Sequence, residues 1–173
     1  MLDPTSIEQL VKNNLEHLAV RYEWIPIDPM FADTAGFCEQ YGFPIHNSGN
    51  TIILSSKKGA KQHSACVVLG IDRLDVNKTV RNLMGVPRLS FADADETISL
   101  TGMMIGGVTP FGLPESLPIY VDSMVMNLDY LILGGGNRTG KVKIHPSGLM
   151  AIPNVKVITG LSKPRGLNFD EPQ

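Results

Sequence analysis

The chain has 173 residues, a formal net charge of −2, 43% apolar residues and 18% charged residues. This length suits one domain with a full core, and the composition is that of a globular protein. The slight acidic excess argues against a strongly basic nucleic-acid-binding module, though not against a local basic patch. No apolar run approaches the roughly 18 residues of a membrane helix, and the polar start lacks signal-peptide character, so we expect a cytoplasmic protein without membrane contacts.

The first half of the chain predicts two helices and a hairpin. Residues 6–21 place apolar side chains on one helical face, with Ser6 as N-cap. "YEWIPID" follows as a short strand, and a second helix lies between Asp33 as N-cap and Gly42 as C-cap. "NTIILSS" and "HSACVVLG" are β-rich runs on either side of the basic turn "KKGAKQ", which together predict a β-hairpin.

The second half alternates short helices and strands. A helix is predicted from Asp75 to Gly85, then the strand "VPRLSF" and the short helix "ADADETISL". The strands "LPIYVDS", "LDYLILG", "KVKIHP" and "VKVIT" follow, with one helical turn in "PSGLMAI". Because the order lacks strict βαβ repetition, it favours a mixed, α+β-like α/β fold. We expect one domain over residues 1–161 and a loose polar tail over residues 162–173.

The stretch "IGGVTPFG" cannot be a helix interior or a regular strand, because its glycines and Pro110 disfavour both. Two interpretations stay open for it. Its bare backbone N–H groups could hold an anion or a carbonyl oxygen. It could equally be a tight turn between buried elements.

A second glycine-rich stretch, "GGNRTGK", has the Gly-x4-Gly-Lys spacing of a phosphate-binding loop. However, Val142 stands where magnesium binding needs Ser or Thr, and the following residues alternate like a strand rather than opening a helix. We therefore predict a hairpin turn. Arg138 and Lys141 could still contact a phosphate group.

The remaining candidate groups are basic. The hairpin-tip residues Lys57, Lys58 and Lys61 are either a solvated turn or contacts to RNA phosphates. His145, before Pro146, is either a turn residue or part of a site. The four histidines show no metal-ligand spacing, Cys38 and Cys66 form no CxxC motif, and GxSxG is absent, so we expect no metal and no catalytic serine.

"GGVTP" with "FG", then "LPIYVD" and "LILGGGNRTGKVKI", in this order, resemble the YbaK/ProX family of free-standing aminoacyl-tRNA deacylases. This family is related to the editing domain of prolyl-tRNA synthetase. The resemblance covers residues 6–160 and implies a curved mixed β-sheet with flanking helices. It implies hydrolysis of the ester between a wrong amino acid and the tRNA 3′ end, without a cofactor, a metal or a covalent nucleophile. The family's Gly-x-x-x-Pro loop maps onto Gly106, Gly107, Val108, Thr109 and Pro110.

Other positions carry weaker implications. Members of the family with deacylase activity usually carry a lysine at the start of the strand after the second helix, and here Asn50 stands there and would orient the substrate. By the resemblance, His145 would line the acyl pocket. Lys57, Lys58, Lys61 and Arg138 would contact phosphates.

Two hypotheses follow. The first is a trans-acting editing hydrolase for mischarged tRNA, with tRNA-Pro or another tRNA that carries a small amino acid as its substrate. The second, favoured by Asn50, is a catalytically impaired member. It would bind tRNA, an aminoacyl-adenosine-like ligand or a synthetase.

Overall fold

A computed structural model describes residues 3–165, and its elements alternate along the chain. The helices are α1 (Pro4–His17), α2 (Thr34–Tyr41), α3 (Arg81–Met84) and α4 (Ala94–Thr101). The strands are β1 (Tyr22–Pro26), β2 (Gly49–Ser56), β3 (His63–Leu69), β4 (Asp72–Leu74), β5 (Leu89–Phe91), β6 (Ile119–Asp122), β7 (Leu131–Gly134), β8 (Gly140–Ile144), β9 (Val155–Ile158) and β10 (Ser162–Pro164). Single 3-10 turns cover Pro29–Phe31, Ile45–Asn47, Ser123–Asn127 and Pro146–Ala151.

The strands form three sheets. The largest has the order β5-β2-β3-β6-β9 and is mixed, since β3, β6 and β9 run parallel while β2 is antiparallel to both of its neighbours. The antiparallel sheet β1-β8-β7 is joined to it by a parallel bridge between Ser48 and Ile132. Strands β4 and β10 form a separate antiparallel pair. The predicted mixed α/β fold is confirmed.

Three apolar clusters hold these layers together. The first lies under α1, where Ile7, Val11 and Leu15 face inward at helical spacing and pack with residues of both larger sheets. The second lies on the other face of the five-stranded sheet, where Leu54 packs among residues of the β4–α3 segment. The third lies between α2 and the three-stranded sheet and includes Phe37.

Local signals placed several elements correctly. Helix α2 has Asp33 as its N-cap residue and ends at Gly42, whose φ of 74° lies in the left-handed region that glycine tolerates. The predicted hairpin is the antiparallel pair β2–β3. "GGNRTGK" is the turn between antiparallel strands β7 and β8, so the hairpin prediction is confirmed there as well.

Three predictions were wrong in detail. Helix α1 begins before Ser6, because the Asp3 carboxylate accepts the N–H groups of Thr5 and Ser6 and thereby caps the helix itself. The helix predicted from Asp75 to Gly85 begins with a π-helical turn over Val76–Val80.

The third concerns the start of the predicted loose tail. Ser162–Pro164 pairs with β4, and the preceding Leu161 is fully buried. A buried anchor and strand pairing therefore order these residues, while residues 166–173 lie outside the described part of the chain.

Candidate functional site at the glycine loop

The loop Gly106–Pro110 is held against the turn between β7 and β8. The Gly136 N–H donates to the Gly107 carbonyl at 2.6 Å, and the Met104 N–H donates to the Gly136 carbonyl at 3.2 Å. A third bond, from the Gly107 N–H to the Met104 carbonyl at 2.9 Å, closes the loop on itself. The two glycine-rich stretches of the sequence are therefore one structural unit.

Close backbone packing explains the glycines of this unit. A Cβ at Gly107 would overlap the backbone carbonyl of Asn137, and a Cβ at Gly134 would lie 2.6 Å from the carbonyl oxygens of Gly107 and Val108. Gly106 has a φ of 92°, which L side chains rarely adopt. The first reason for a bare backbone here is thus contact between two chain segments.

The same loop leaves hydrogen-bond donors unused. Val108 and Thr109 are both buried, and no acceptor within residues 3–165 pairs with their backbone N–H groups. The Thr109 hydroxyl is likewise buried without a partner in the described chain. Because an unpaired buried polar group costs roughly 1–3 kcal/mol, such groups call for an explanation, and a bound ligand is one of them.

Arg138 lies beside this loop and is fixed by two other segments. Its Nη1 atom donates to the Asp33 carboxylate at 3.2 Å, and its Nη2 atom donates to the Pro29 carbonyl at 3.1 Å. A Cβ added at Gly106 would overlap the same Nη1 atom, so the guanidinium lies directly against the loop. The Arg138 side chain stays 29% exposed. It is therefore a positioned cation that a ligand can reach.

Asn50 contacts the start of α2 at Thr34, the residue after the one that Arg138 contacts. It is the second residue of β2, half-buried, and its Oδ1 atom accepts the Thr34 hydroxyl at 2.9 Å. Thr34 follows Asp33 in the chain. The first residues of α2 therefore connect Asn50 to Arg138 and, through Arg138, to the glycine loop.

Lys141 supports this arrangement from below. The residue is only 7% exposed, and its Nζ atom donates to the Ala32 carbonyl at 2.6 Å, one residue before Asp33. Burial lowers the pKa of the Lys141 amine to about 8. The positive charge of Arg138 lowers this pKa further, whereas the negative charge of Asp33 raises it. Its position beneath the site means that it holds the start of α2, whereas the sequence suggested a phosphate contact.

The other predicted site residues lie apart from the loop. His145 is exposed at the opposite end of β8 from Gly140, and its Nδ1 atom accepts the Ser147 N–H as a helix cap. Lys57 and Lys58 are exposed at the far end of β2 from Asn50, about 20 Å away along the strand. Lys61 is also at that end.

Lys61 belongs to a small polar cluster around Glu96. The Glu96 carboxylate accepts from Ser55 at 2.8 Å and contacts the His63 Nε2 atom at 2.8 Å and the Lys61 Nζ atom at 3.2 Å. Burial alone would raise the pKa of Glu96, but these three partners outweigh it and bring the pKa to about 2. We assign this cluster to the attachment of α4 to the hairpin.

A cavity of about 430 Å³ lies elsewhere, between β4, β5 and β10, and none of its lining residues belongs to the glycine loop. Residues 3–165 contain no group of three or more His, Cys, Asp or Glu side chains that could hold a metal ion. Within the same residues, no helix is long and apolar enough to cross a membrane.

Comparison with known proteins decides the family. The model of the aminoacyl-tRNA editing domain matches residues 28–152, which include the glycine loop, Arg138 and Asn50. The chain belongs to the aminoacyl-tRNA editing domain family. The resemblance found in the sequence is confirmed.

Solved structures share the fold of this editing domain. The hypothetical protein APE2540 superposes with a TM-score of 0.79 at 23% identity, covering 89% of this chain and 99% of its own. A "putative trans-editing enzyme for prolyl tRNA synthetase" gives a TM-score of 0.77 at 23% identity, covering 94% and 99%. An engineered scaffold for presenting linear epitopes gives 0.77 at 24% identity with the same coverage.

The sequence identified the loop but missed what surrounds it. Asp33 and Thr34 looked like ordinary helix-start residues, and their contacts are with residues far away in the chain. Lys141 carried no local signal, because the alternation of "KVKI" places it on the strand face opposite Val142 and Ile144 and so predicts an exposed lysine.

Proposed function

We propose that this editing domain hydrolyses, in trans, the ester that joins a wrong amino acid to the 3′ end of a tRNA. The observation that carries the proposal is the pair of unused N–H groups at Val108 and Thr109, in the loop whose Gly106 the Arg138 guanidinium contacts. Ester hydrolysis places a negative charge on the former carbonyl oxygen, and positioned backbone donors beside a cation stabilise such a charge.

The reaction needs no covalent intermediate with the protein. A water oxygen adds to the acyl carbonyl carbon and loses a proton, which leaves a tetrahedral oxyanion facing the N–H groups of Val108 and Thr109. The oxyanion collapses, the bond from carbon to the ribose oxygen breaks, and that oxygen takes up a proton. The neighbouring ribose hydroxyl or the water itself carries the proton, and no side chain in the described site is required as a nucleophile.

Arg138 provides the positive charge in this proposal. The family resemblance implies a lysine where Asn50 stands, and an amide carries no charge. Arg138 is fixed by Asp33 and Pro29 and lies against the loop, so its guanidinium supplies the missing cation from the turn between β7 and β8. Asn50, held through its Oδ1 atom by Thr34, keeps its amide NH2 group available to orient the substrate.

The substrate class is part of the proposal. The family match points to aminoacyl-tRNA, and the similar trans-editing enzyme for prolyl-tRNA synthetase favours tRNA-Pro carrying a small wrong amino acid. We also propose that residues 1–161 form a single domain to which β10 adds an edge pairing with β4, that the tip lysines contact phosphates, and that the protein acts in the cytoplasm. His145, at the far end of β8, would line the acyl pocket only if the bound acyl group extended to that end.

The test is deacylation of a panel of mischarged tRNAs by the purified protein, measured against the spontaneous rate. Asn50→Lys is tested alongside the wild type. Selective loss of one acyl group with the wild type is the expected result. Activity in Asn50→Lys alone would contradict the proposed role of Arg138 and would support the second candidate.

That second candidate is a binding module of the same fold, for tRNA, an aminoacyl-adenosine-like ligand or a synthetase. The neutral Asn50 favours it. Saturable binding of a non-hydrolysable aminoacyl-adenosine analogue, without turnover of any charged tRNA, would establish it.

A further inference from the structure

Asp33 stands at the N-cap position of α2, yet its side chain accepts no N–H group of that helix. A carboxylate at this position ordinarily accepts an N–H group of the first turn, and this bond stabilises the helix. Helix α4 shows the usual arrangement, in which the Asp93 carboxylate accepts the Glu96 N–H at 2.8 Å. The Asp33 carboxylate therefore gives up an available capping bond for a different contact.

That contact is with the edge of the glycine-loop site. The Oδ1 atom of Asp33 accepts the Arg138 Nη1–H at 3.2 Å, and it would lie 3.5 Å from a Cβ built at Gly106. The second oxygen, Oδ2, has no hydrogen-bond partner among residues 3–165. Because the Asp33 side chain is 77% exposed, a ligand bound at the loop can reach this free oxygen.

Charges of both signs therefore meet beside Gly106. The cations are the Arg138 guanidinium and the buried Lys141 amine, and the Asp33 carboxylate interacts electrostatically with both of them. A ligand that carried only a positive group would be repelled by the two cations. A ligand that placed a positive group at Asp33 and a negative group at the loop would fit, because complementary charges favour one partner and one orientation.

An α-amino ester acquires this pair of charges during hydrolysis. A free α-amino group has a pKa of about 8 and therefore carries positive charge at neutral pH. The carbonyl oxygen becomes negative when water adds, and only the α-carbon separates the carbonyl carbon from the ammonium nitrogen. In the proposed reaction the oxyanion faces the N–H groups of Val108 and Thr109. The ammonium group then lies within a few covalent bonds of the loop that Asp33 borders.

We propose that the free oxygen of Asp33 binds the α-ammonium group of the substrate, so that the site selects aminoacyl esters with an unblocked amino group. This inference rests on the proposed function for the ester and narrows its substrate class. Esters whose amino group is acylated, such as formylmethionyl-tRNA and peptidyl-tRNA, are rejected because an amide nitrogen carries no charge. Asp33 is thus a specificity-determining residue in addition to its contact with Arg138.

The experiment compares two acyl groups on one tRNA. The first is the aminoacyl group that the panel of mischarged tRNAs selects, and the second is its α-hydroxyacyl counterpart, such as lactyl in place of alanyl. The kcat/KM for each ester is divided by its spontaneous hydrolysis rate. Asp33→Asn removes the charge but keeps an oxygen that can accept from Arg138. Asp95→Asn is the matched control, because Asp95 is an exposed aspartate in the first turn of α4.

The wild type should prefer the aminoacyl ester by about 10-fold, the lower end for a hydrogen bond to a charged group, because Asp33 is solvated before the substrate covers it. Asp33→Asn should lose this preference, and Asp95→Asn should keep it. The N-acetylated aminoacyl ester should not be cleaved by the wild type. An equal fall of both rates in Asp33→Asn would mean that Asp33 only positions Arg138 and would overturn the proposal. Lack of any preference in the wild type would overturn it as well.

Binding of non-hydrolysable analogues separates this inference from the proposed function. The probes are 3′-alanylamido-adenosine and 3′-lactylamido-adenosine, which have an amide in place of the ester. If the wild type cleaves no ester but binds the alanyl probe more tightly, and Asp33→Asn loses this preference, the ammonium site stands and the editing activity is wrong. If the wild type cleaves aminoacyl and hydroxyacyl esters equally well, the editing activity stands and this inference is wrong. If it neither cleaves an ester nor binds the alanyl probe, both are wrong.

Discussion

The two ends of strand β2 hold positive charge in opposite ways. At the Asn50 end, Arg138 is fixed by Asp33 and Pro29, and Lys141 is buried against the Ala32 carbonyl. At the other end, Lys57 and Lys58 are exposed at the turn. Fixed charges can stabilise one developing charge at one place, whereas solvated lysines only raise the local attraction for phosphates. Under the proposed function, the first end suits chemistry and the second end suits binding.

At the Asn50 end of β2, substitutions in the glycine loop should have the largest effect on stability and activity. Gly107→Ala places a methyl group on the Asn137 carbonyl, so the loop must move away from the β7–β8 turn. We expect a loss of about 3 kcal/mol in the free energy of unfolding and loss of measurable deacylation. Urea unfolding and single-turnover deacylation check this.

Gly36→Ala is the control for that variant. Gly36 lies inside α2, and the nearest atom to an added Cβ is 3.8 Å away. Alanine favours a helix over glycine, so Gly36→Ala should be neutral or slightly stabilising. If Gly107→Ala and Gly36→Ala had the same free energy of unfolding and the same deacylation rate, the close contact between Gly107 and Asn137 would be unimportant for stability and activity.

Substitutions of Arg138 test whether a positive charge alone is enough for catalysis at the Asn50 end of β2. Arg138→Lys keeps the positive charge but cannot reach both Asp33 and Pro29 with one planar group. We expect kcat to fall about 10-fold in Arg138→Lys and about 100-fold in Arg138→Ala, with smaller changes in KM. The exposed Arg21→Ala should leave kcat unchanged. Wild-type kcat in Arg138→Ala would remove Arg138 from the proposed mechanism.

Lys141 should make the free energy of unfolding depend on pH. Its pKa is about 8 in the folded protein and near 10.5 when unfolded, so between these values only the unfolded chain holds the proton. The free energy of unfolding should therefore rise with pH across this window, by on the order of 3 kcal/mol. Urea unfolding at pH 7.5, 9 and 10 should show the rise in the wild type.

Lys141→Met should lack that rise, because its side chain does not titrate. Lys156→Met, which leaves Lys141 in place, should retain it. A flat pH profile in the wild type would mean that the Lys141 amine is already well accommodated as a cation beside Ala32.

The tip lysines should give the smallest effect. The double variant Lys57→Ala/Lys58→Ala should raise KM for aminoacyl-tRNA two- to threefold at low salt and leave kcat unchanged, because exposed charges act at long range. The salt dependence of KM should fall by about 0.7 for each phosphate whose lysine partner is removed. A fall in kcat would contradict the division between the two ends of β2.

The sequence predicted those features whose signals are local. Asp33 and Gly42 marked α2 because capping depends on neighbouring residues, and β2 and β3 showed as a hairpin because both strands and their turn are contiguous. The start of α1 was misplaced because Asp3 and Ser6 both fit a cap and only the backbone geometry chooses between them. Strand β10 was missed because its pairing with β4 is a long-range contact of a polar segment.

The site followed the same rule. The Gly106–Pro110 loop stood out because its composition excludes regular structure. The role of Arg138 did not, since its contact with Asp33 joins residues 105 positions apart. The resemblance assigned His145 to the acyl pocket, and the fold places it at the opposite end of β8 from Gly140. Residues only a few positions apart in sequence can lie at the two ends of one strand. Only the tertiary fold shows which of these ends lies beside the glycine loop.

The pairing of β1 with β8 also bears on when this site can exist during synthesis. Tyr22 is the partner of Ile144, and the Ser48–Ile132 bridge joins the two larger sheets. A chain emerging from the ribosome cannot close the second contact before residue 132 has left the exit tunnel, nor the first before residue 144 has done so. Contacts so distant in sequence also slow folding. The loop, its cation and the start of α2 therefore meet only after these residues have been synthesised, and nascent chains that end before Arg138 lack the site altogether.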